Sequence, residues 1–86
     1  MTAGDKGIPT PEAIAEEHRR VHRLRLVVQM SLEIIAQGRL SYEEASEMMM
    51  ATRRLALQMF PGKEEVYDLI YRPKFQRLMS ELYRLQ

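Results

Sequence analysis

Apolar residues recur at helical spacing along most of this chain, in three runs separated by turn residues. In the first run Val21, Leu24, Val28, Ser31, Leu32 and Ile35 share one face of a helix. Thr10 is placed to cap its start. Pro11 suits the first helical position, where its missing N–H is one that a helix start leaves unpaired anyway. Glu12, Glu16 and Glu17 suit the positive end of the helix dipole. Gly38 supplies a stop, as a residue able to take positive φ. The run predicts a helix over 11–37, roughly 40 Å long at 1.5 Å per residue.

The same run carries a competing pattern. Every even position from Leu24 to Ile34 is apolar, which is the alternation of a half-buried strand. Such a strand would have to pair across a dimer, because no second strand candidate exists in the chain. Leu, Arg, Gln, Met and Glu dominate the segment and its ends carry helix punctuation, so the helix is the reading adopted.

Ser41-Tyr42-Glu43-Glu44 is a capping box, with Leu40 before it placed to staple against Ala45. It opens a second helix over 42–60, with Ala45, Met48, Met49, Thr52, Leu55, Ala56 and Met59 at helical spacing, and Pro61-Gly62 closes it. The short Gly38–Ser41 connection forces the first two helices into an antiparallel hairpin. The first helix then overhangs the second by about two turns at its N-terminal end.

The third run, 63–85, is interrupted by Pro73, which removes a backbone hydrogen bond and crowds the carbonyl of Leu69. The helix either kinks there or breaks at Arg72 and restarts. Tyr71, Phe75, Leu78, Leu82 and Leu85 step by 4, 3, 4, 3, a short seam expected to pack on the hairpin. The expected fold is all-α: a flexible tail over 1–9, then one domain over 10–86 built as a three-helix unit.

With 86 residues the chain is bounded to one domain with a small core. Domains near this size commonly need a staple. Cysteine is absent, so disulfides and thiolate metal sites are excluded and self-association becomes the first staple to consider. Lys and Arg number 13 against 12 Asp and Glu, a balance with no global pull toward nucleic acid or membranes. The longest uncharged apolar stretch, Leu26–Leu32, is far short of the roughly 20 residues of a membrane helix. The first residues lack the apolar core of a signal peptide, and a cytoplasmic location is the default expectation.

Candidate chemistry is sparse. His18 and His22 stand one helical turn apart, as a metal pair requires, but Arg19 occupies the place of the glutamate in the H-E-x-x-H pattern. The Glu-x-x-His pattern of di-iron bundles fails at Ala15 and Arg19. No Ser/His/Asp constellation and no phosphate-cradling glycine loop occurs. Tyr42, Tyr67, Tyr71 and Tyr83 are read as hydrogen-bonding edges of packed surfaces. No catalytic residue, metal site or cofactor site is assigned.

Arg19, Arg20, Arg23 and Arg25 form an acid-free cluster able to face an anion such as nucleic acid. Glu16 and Glu17 are spaced to neutralise Arg20, and Glu64 and Glu65 are expected near Arg19 or Arg23. In a helix-turn-helix the second helix would present Tyr42, Glu43, Glu44 and Glu47 to phosphates, whose charge would repel the carboxylates. A ribbon dimer over 24–34 would offer Val27, Gln29 and Glu33, a poor set for reading a groove.

Methionine is the unusual feature, seven in all with Met48, Met49 and Met50 in a row. Three consecutive helical positions span about 200° and cannot share one core. Met50 has Leu57 on its own side, and Leu26 and Met30 form a second stripe on the first helix. These four residues, Leu26, Met30, Met50 and Leu57, are the expected partner-binding surface, with methionine giving adaptable fit. The expected function is therefore non-enzymatic protein–protein contact through a homodimer or another protein. A nucleic-acid regulator using the arginines is the alternative.

Overall fold

In a computed structural model, residues 8–84 are described and are helical throughout apart from turns, with no strand among them. The helices are α1 (Pro11–Ala36), α2 (Tyr42–Met59), α3 (Glu64–Ile70) and α4 (Arg72–Tyr83). The alternating stretch Leu24–Ile34 lies inside α1, so the strand reading does not hold. Most of the 1–9 tail and the seam residue Leu85 fall outside the described residues.

The punctuation read from the sequence sets the helix ends. The Thr10 hydroxyl accepts from the Ala13 amide at 3.0 Å, and Pro11 opens α1. Gly38 leaves the helix at φ +75°, a conformation that a side chain resists, and its amide donates to the Ile35 carbonyl at 3.0 Å. At α2 both halves of the capping box form. The Glu44 amide donates to the Ser41 hydroxyl at 3.1 Å, and the Ser41 amide donates to the Glu44 carboxylate at 2.9 Å.

The described residues form four helices rather than three. Tyr71 both ends α3 and precedes α4, and Pro73 falls in the first turn of α4, where no amide hydrogen is required. The Tyr71 amide closes α3 on the Tyr67 carbonyl at 2.8 Å, and the Tyr71 carbonyl accepts from Lys74 at 3.0 Å. The chain thus passes Pro73 by starting a new helix.

The turn after α1 brings α2 back alongside it, with Ser31 bonded to Thr52 at 2.8 Å. The core joins Leu24, Val28 and Ile35 of α1 to Ala45 and Ala56 of α2, Tyr67 of α3, and Phe75 and Met79 of α4. Among the described residues only Phe75 and Ile35 are large side chains wholly removed from solvent, so the core is small. α3 is tied to α2 by a two-pronged ion pair, Arg53 to Asp68 at 2.8 and 3.0 Å. The far end of α4 is tied to the hairpin turn, where the Tyr83 hydroxyl donates to the Leu40 carbonyl at 2.8 Å. The Tyr83 ring meets Tyr42 edge-on, centroids 5.7 Å apart.

The expected seam holds in part: Tyr71 and Leu78 pack against the core beside buried Phe75. Phe75 and Met79 are buried and Tyr83 is half-buried, while Leu82 stays exposed. Steps of four along 71, 75, 79 and 83 fit a short helix crossing the hairpin better than the alternating 4, 3 steps of a supercoil. Residues 11–19 of α1 are all exposed, beyond the reach of α2.

Candidate interaction surface

α3 packs against α2, and α4 packs against both α1 and α2. On α1, Val27, Met30 and Ile34 are spaced i, i+3, i+7 and so lie along one flank. On α2, Met48, Ala51 and Leu55 have the same spacing. The Ser31–Thr52 bond fixes the relative level of the two helices, which puts Val27 beside Leu55 and Ile34 beside Met48. Between them runs a shallow groove of about 460 Å³, walled by Val27, Met48, Ala51, Thr52 and Leu55. Leu40, Glu44 and Glu47 close it toward the turn, and no residue of α3 or α4 lines it. Leu55 of its lining is 40% exposed; Met30 and Ile34, on the same flank of α1 as Val27 but outside the lining, are 59% and 39% exposed.

The four residues expected to form one partner surface are divided by the fold. Met30 shares the α1 flank of Val27 without lining the groove. Leu26, 50% exposed, lies one turn earlier beside a hollow that it shares with His18, Arg19, His22 and Arg23. Leu57 is half-buried against the core. It lines a different groove, of about 290 Å³, with Val21, Leu24, Phe60, Val66, Tyr67 and Ile70. Met50 is 47% exposed and, two positions from Met48, points well away from the first groove.

Sequence reading missed Val27, Ile34, Ala51 and Leu55 as surface residues. It assigned Met48 and Leu55 to the core stripe of α2; Met48 does pack against the core, whereas Leu55 is 40% exposed. The available signal was the repeated i, i+3, i+7 spacing in both helices, which gives each helix a second apolar flank beside its buried one.

The arginine cluster is divided as well. Arg19 is held by Glu16 at 2.7 Å, and this hydrogen bond keeps the Glu16 carboxyl below its ordinary range. The pairing expected for Glu16 was with Arg20. Instead Arg20 leans over the Phe60 ring at 5.9 Å. Arg23 lies on the Leu26 side of α1, and Arg25 lines the groove of Leu57. Glu64 and Glu65 form no ion pair with Arg19 or Arg23 among the described residues. Asp68 of α3 meets Arg53 of α2 instead, and that bond holds the Asp68 carboxyl below its ordinary range. His18 and His22 share the exposed hollow with two arginines, and no group of three or more metal-ligating side chains occurs among the described residues.

The tyrosines take different roles. Tyr83 bonds at the edge of a packed surface, as expected. Tyr67 is buried, its hydroxyl without a hydrogen-bond partner among the described residues, and burial pushes the phenol up to about 12.

What the uncovered flank can do is physical rather than chemical: it loses water when another apolar surface covers it. No described helix is long and apolar enough to cross a membrane. Compared with known families, curated proteins and solved structures, the chain matches none, so the functional reading rests on this surface.

Proposed function

We propose that this chain is a non-enzymatic protein–protein interaction domain acting through the uncovered flank of its α1–α2 hairpin. One observation carries the reading. The groove takes apolar side chains from both helices, Val27 of α1 and Met48, Ala51 and Leu55 of α2, and no residue of α3 or α4 lines it. Fully burying an aliphatic side chain contributes about 1.5–3 kcal/mol, so covering several half-exposed ones stabilises a complex by a useful fraction of a small domain's stability. The antiparallel hairpin is the frame that brings the two apolar flanks side by side.

The nucleic-acid alternative draws less support. Arg19, Arg20, Arg23 and Arg25 diverge around α1, and two of them already have partners, in Glu16 and the Phe60 ring.

The test is a photo-crosslinking amino acid at position 51, in the groove, compared with one at position 81, on exposed α4. In cells that make the protein, position 51 is expected to yield a covalent protein adduct that position 81 does not. Equal or absent adducts at both positions overturn the reading.

A further inference from the structure

We infer that the occupant of the hairpin groove is a second copy of this chain, packed antiparallel about a twofold axis passing near Met30 and Ala51. This rests on the interaction reading above and adds the partner and its direction.

The argument is the distribution of charge along the hairpin. Where the two helices overlap, α1 carries Arg20, Arg23 and Arg25 toward the open end, and α2 carries Glu43, Glu44 and Glu47 toward the turn. Arg53 and Arg54 of α2 lie near the middle and are already paired, with Asp68 and Glu47, so acid at the turn comes chiefly from α2 and base at the open end from α1. The one cation in the turn, Arg39, leaves that end acidic. A second hairpin laid parallel sets like charge on like, whereas one laid antiparallel sets acid on base.

The register agrees. Arg23 precedes Met30 by seven residues and Glu44 precedes Ala51 by seven, so each lies about 10 Å from the middle of the groove, at opposite ends. A twofold axis at the middle therefore carries Arg23 of one copy to the level of Glu44 of the other. Glu44 lines the groove, and Arg23 is exposed with no ion pair among the described residues. The side chains that line the middle of the groove, Val27, Met48, Ala51 and Leu55, are apolar, with Glu47 and its ion-pair partner Arg54 at the rim. Two helices side by side over about 27 Å offer roughly 500 Å² in projection, and more with side-chain relief. That is near the scale of a stable interface, about 800 Å² per partner.

The absence of cysteine makes the test direct. Single cysteines replace Ala51 or Gln58 in the full chain, are spin-labelled, and the distance between labels on two copies is measured by pulsed electron resonance. The antiparallel arrangement predicts a short distance at position 51 and, at position 58, labels displaced by roughly 21 Å along the helix direction, because each copy carries its label about 10 Å to opposite sides of the axis. In addition, Arg23→Glu is expected to weaken the dimer several-fold at low salt and less at high salt. Equal distances at both positions overturn the antiparallel arrangement. No coupling between copies at either position removes the second copy as occupant. An adduct to a different protein at position 51 would then leave the interaction reading standing.

Discussion

Ser31 of α1 and Thr52 of α2 share a buried hydrogen bond of 2.8 Å at the middle of the hairpin. Thr52 also donates its single hydroxyl hydrogen to the Met48 carbonyl at 2.8 Å, so Ser31 is the donor of the pair. This bond sets the level at which the two helices meet, and with it the matching of Val27 to Leu55 and Ile34 to Met48. Thr52→Val keeps the shape but leaves the Ser31 hydroxyl without its acceptor, and is expected to cost about 1–2 kcal/mol. Ser31→Ala is expected to cost about 1 kcal/mol. The double variant should lose less than the two singles together, because each single removes the same bond. Urea denaturation of the four proteins measures this, and strict additivity would show that the two hydroxyls are not coupled.

Tyr67 gives a prediction of opposite sign. Its hydroxyl is buried without a hydrogen-bond partner among the described residues, so Tyr67→Phe removes a desolvated polar group at little loss of packing and should raise the melting temperature. The phenol ionises near 10 in the unfolded chain and at about 12 when folded. Between these values the native state holds the extra proton. The native state is therefore expected to lose stability as pH rises from about 10 to 12, and the Phe variant should lose less. Melting curves over that range check it, and identical slopes would contradict it.

The Asp68–Arg53 pair makes a prediction at acid pH. The carboxyl is held below its ordinary range chiefly by the hydrogen bond from Arg53. A depressed folded value means that the stabilisation is present above the unfolded value of about 4 and is lost as pH falls through the folded one. Asp68→Asn should therefore lower stability near neutrality and flatten the acid limb of the melting profile. Parallel profiles for the two proteins would show that the pair does not anchor α3.

The fold was legible where a backbone rule acts locally. Thr10, Ser41 with Glu44, Gly38 and Pro73 each mark a helix boundary through a hydrogen bond or dihedral that the residue's own chemistry sets, and they do so whatever the tertiary structure. Packing was less legible. A stripe such as Ala45, Met48, Thr52, Leu55 and Ala56 is one apolar band in sequence. Which edge of it is covered depends on which side α3 and α4 take, and no residue in the stripe encodes that. The same ambiguity divided Leu26 and Met30 from Met50 and Leu57. Ion pairs were misassigned for a related reason: Glu16 has Arg19 and Arg20 both within reach, and the contact of Arg20 with Phe60 decides between them.

The central claim, that a second copy covers the hairpin flank, is tested most directly by sedimentation equilibrium on wild type, Leu55→Glu and Leu69→Glu. Leu69 is 79% exposed on α3, away from the groove, and serves as the control. The account predicts that wild type and Leu69→Glu sediment at twice the 10.1 kDa chain mass at micromolar concentration. It predicts that Leu55→Glu falls to the mass of one chain while keeping its helical circular dichroism. A wild type that stays at one chain mass, or a Leu55→Glu that stays dimeric, would contradict it.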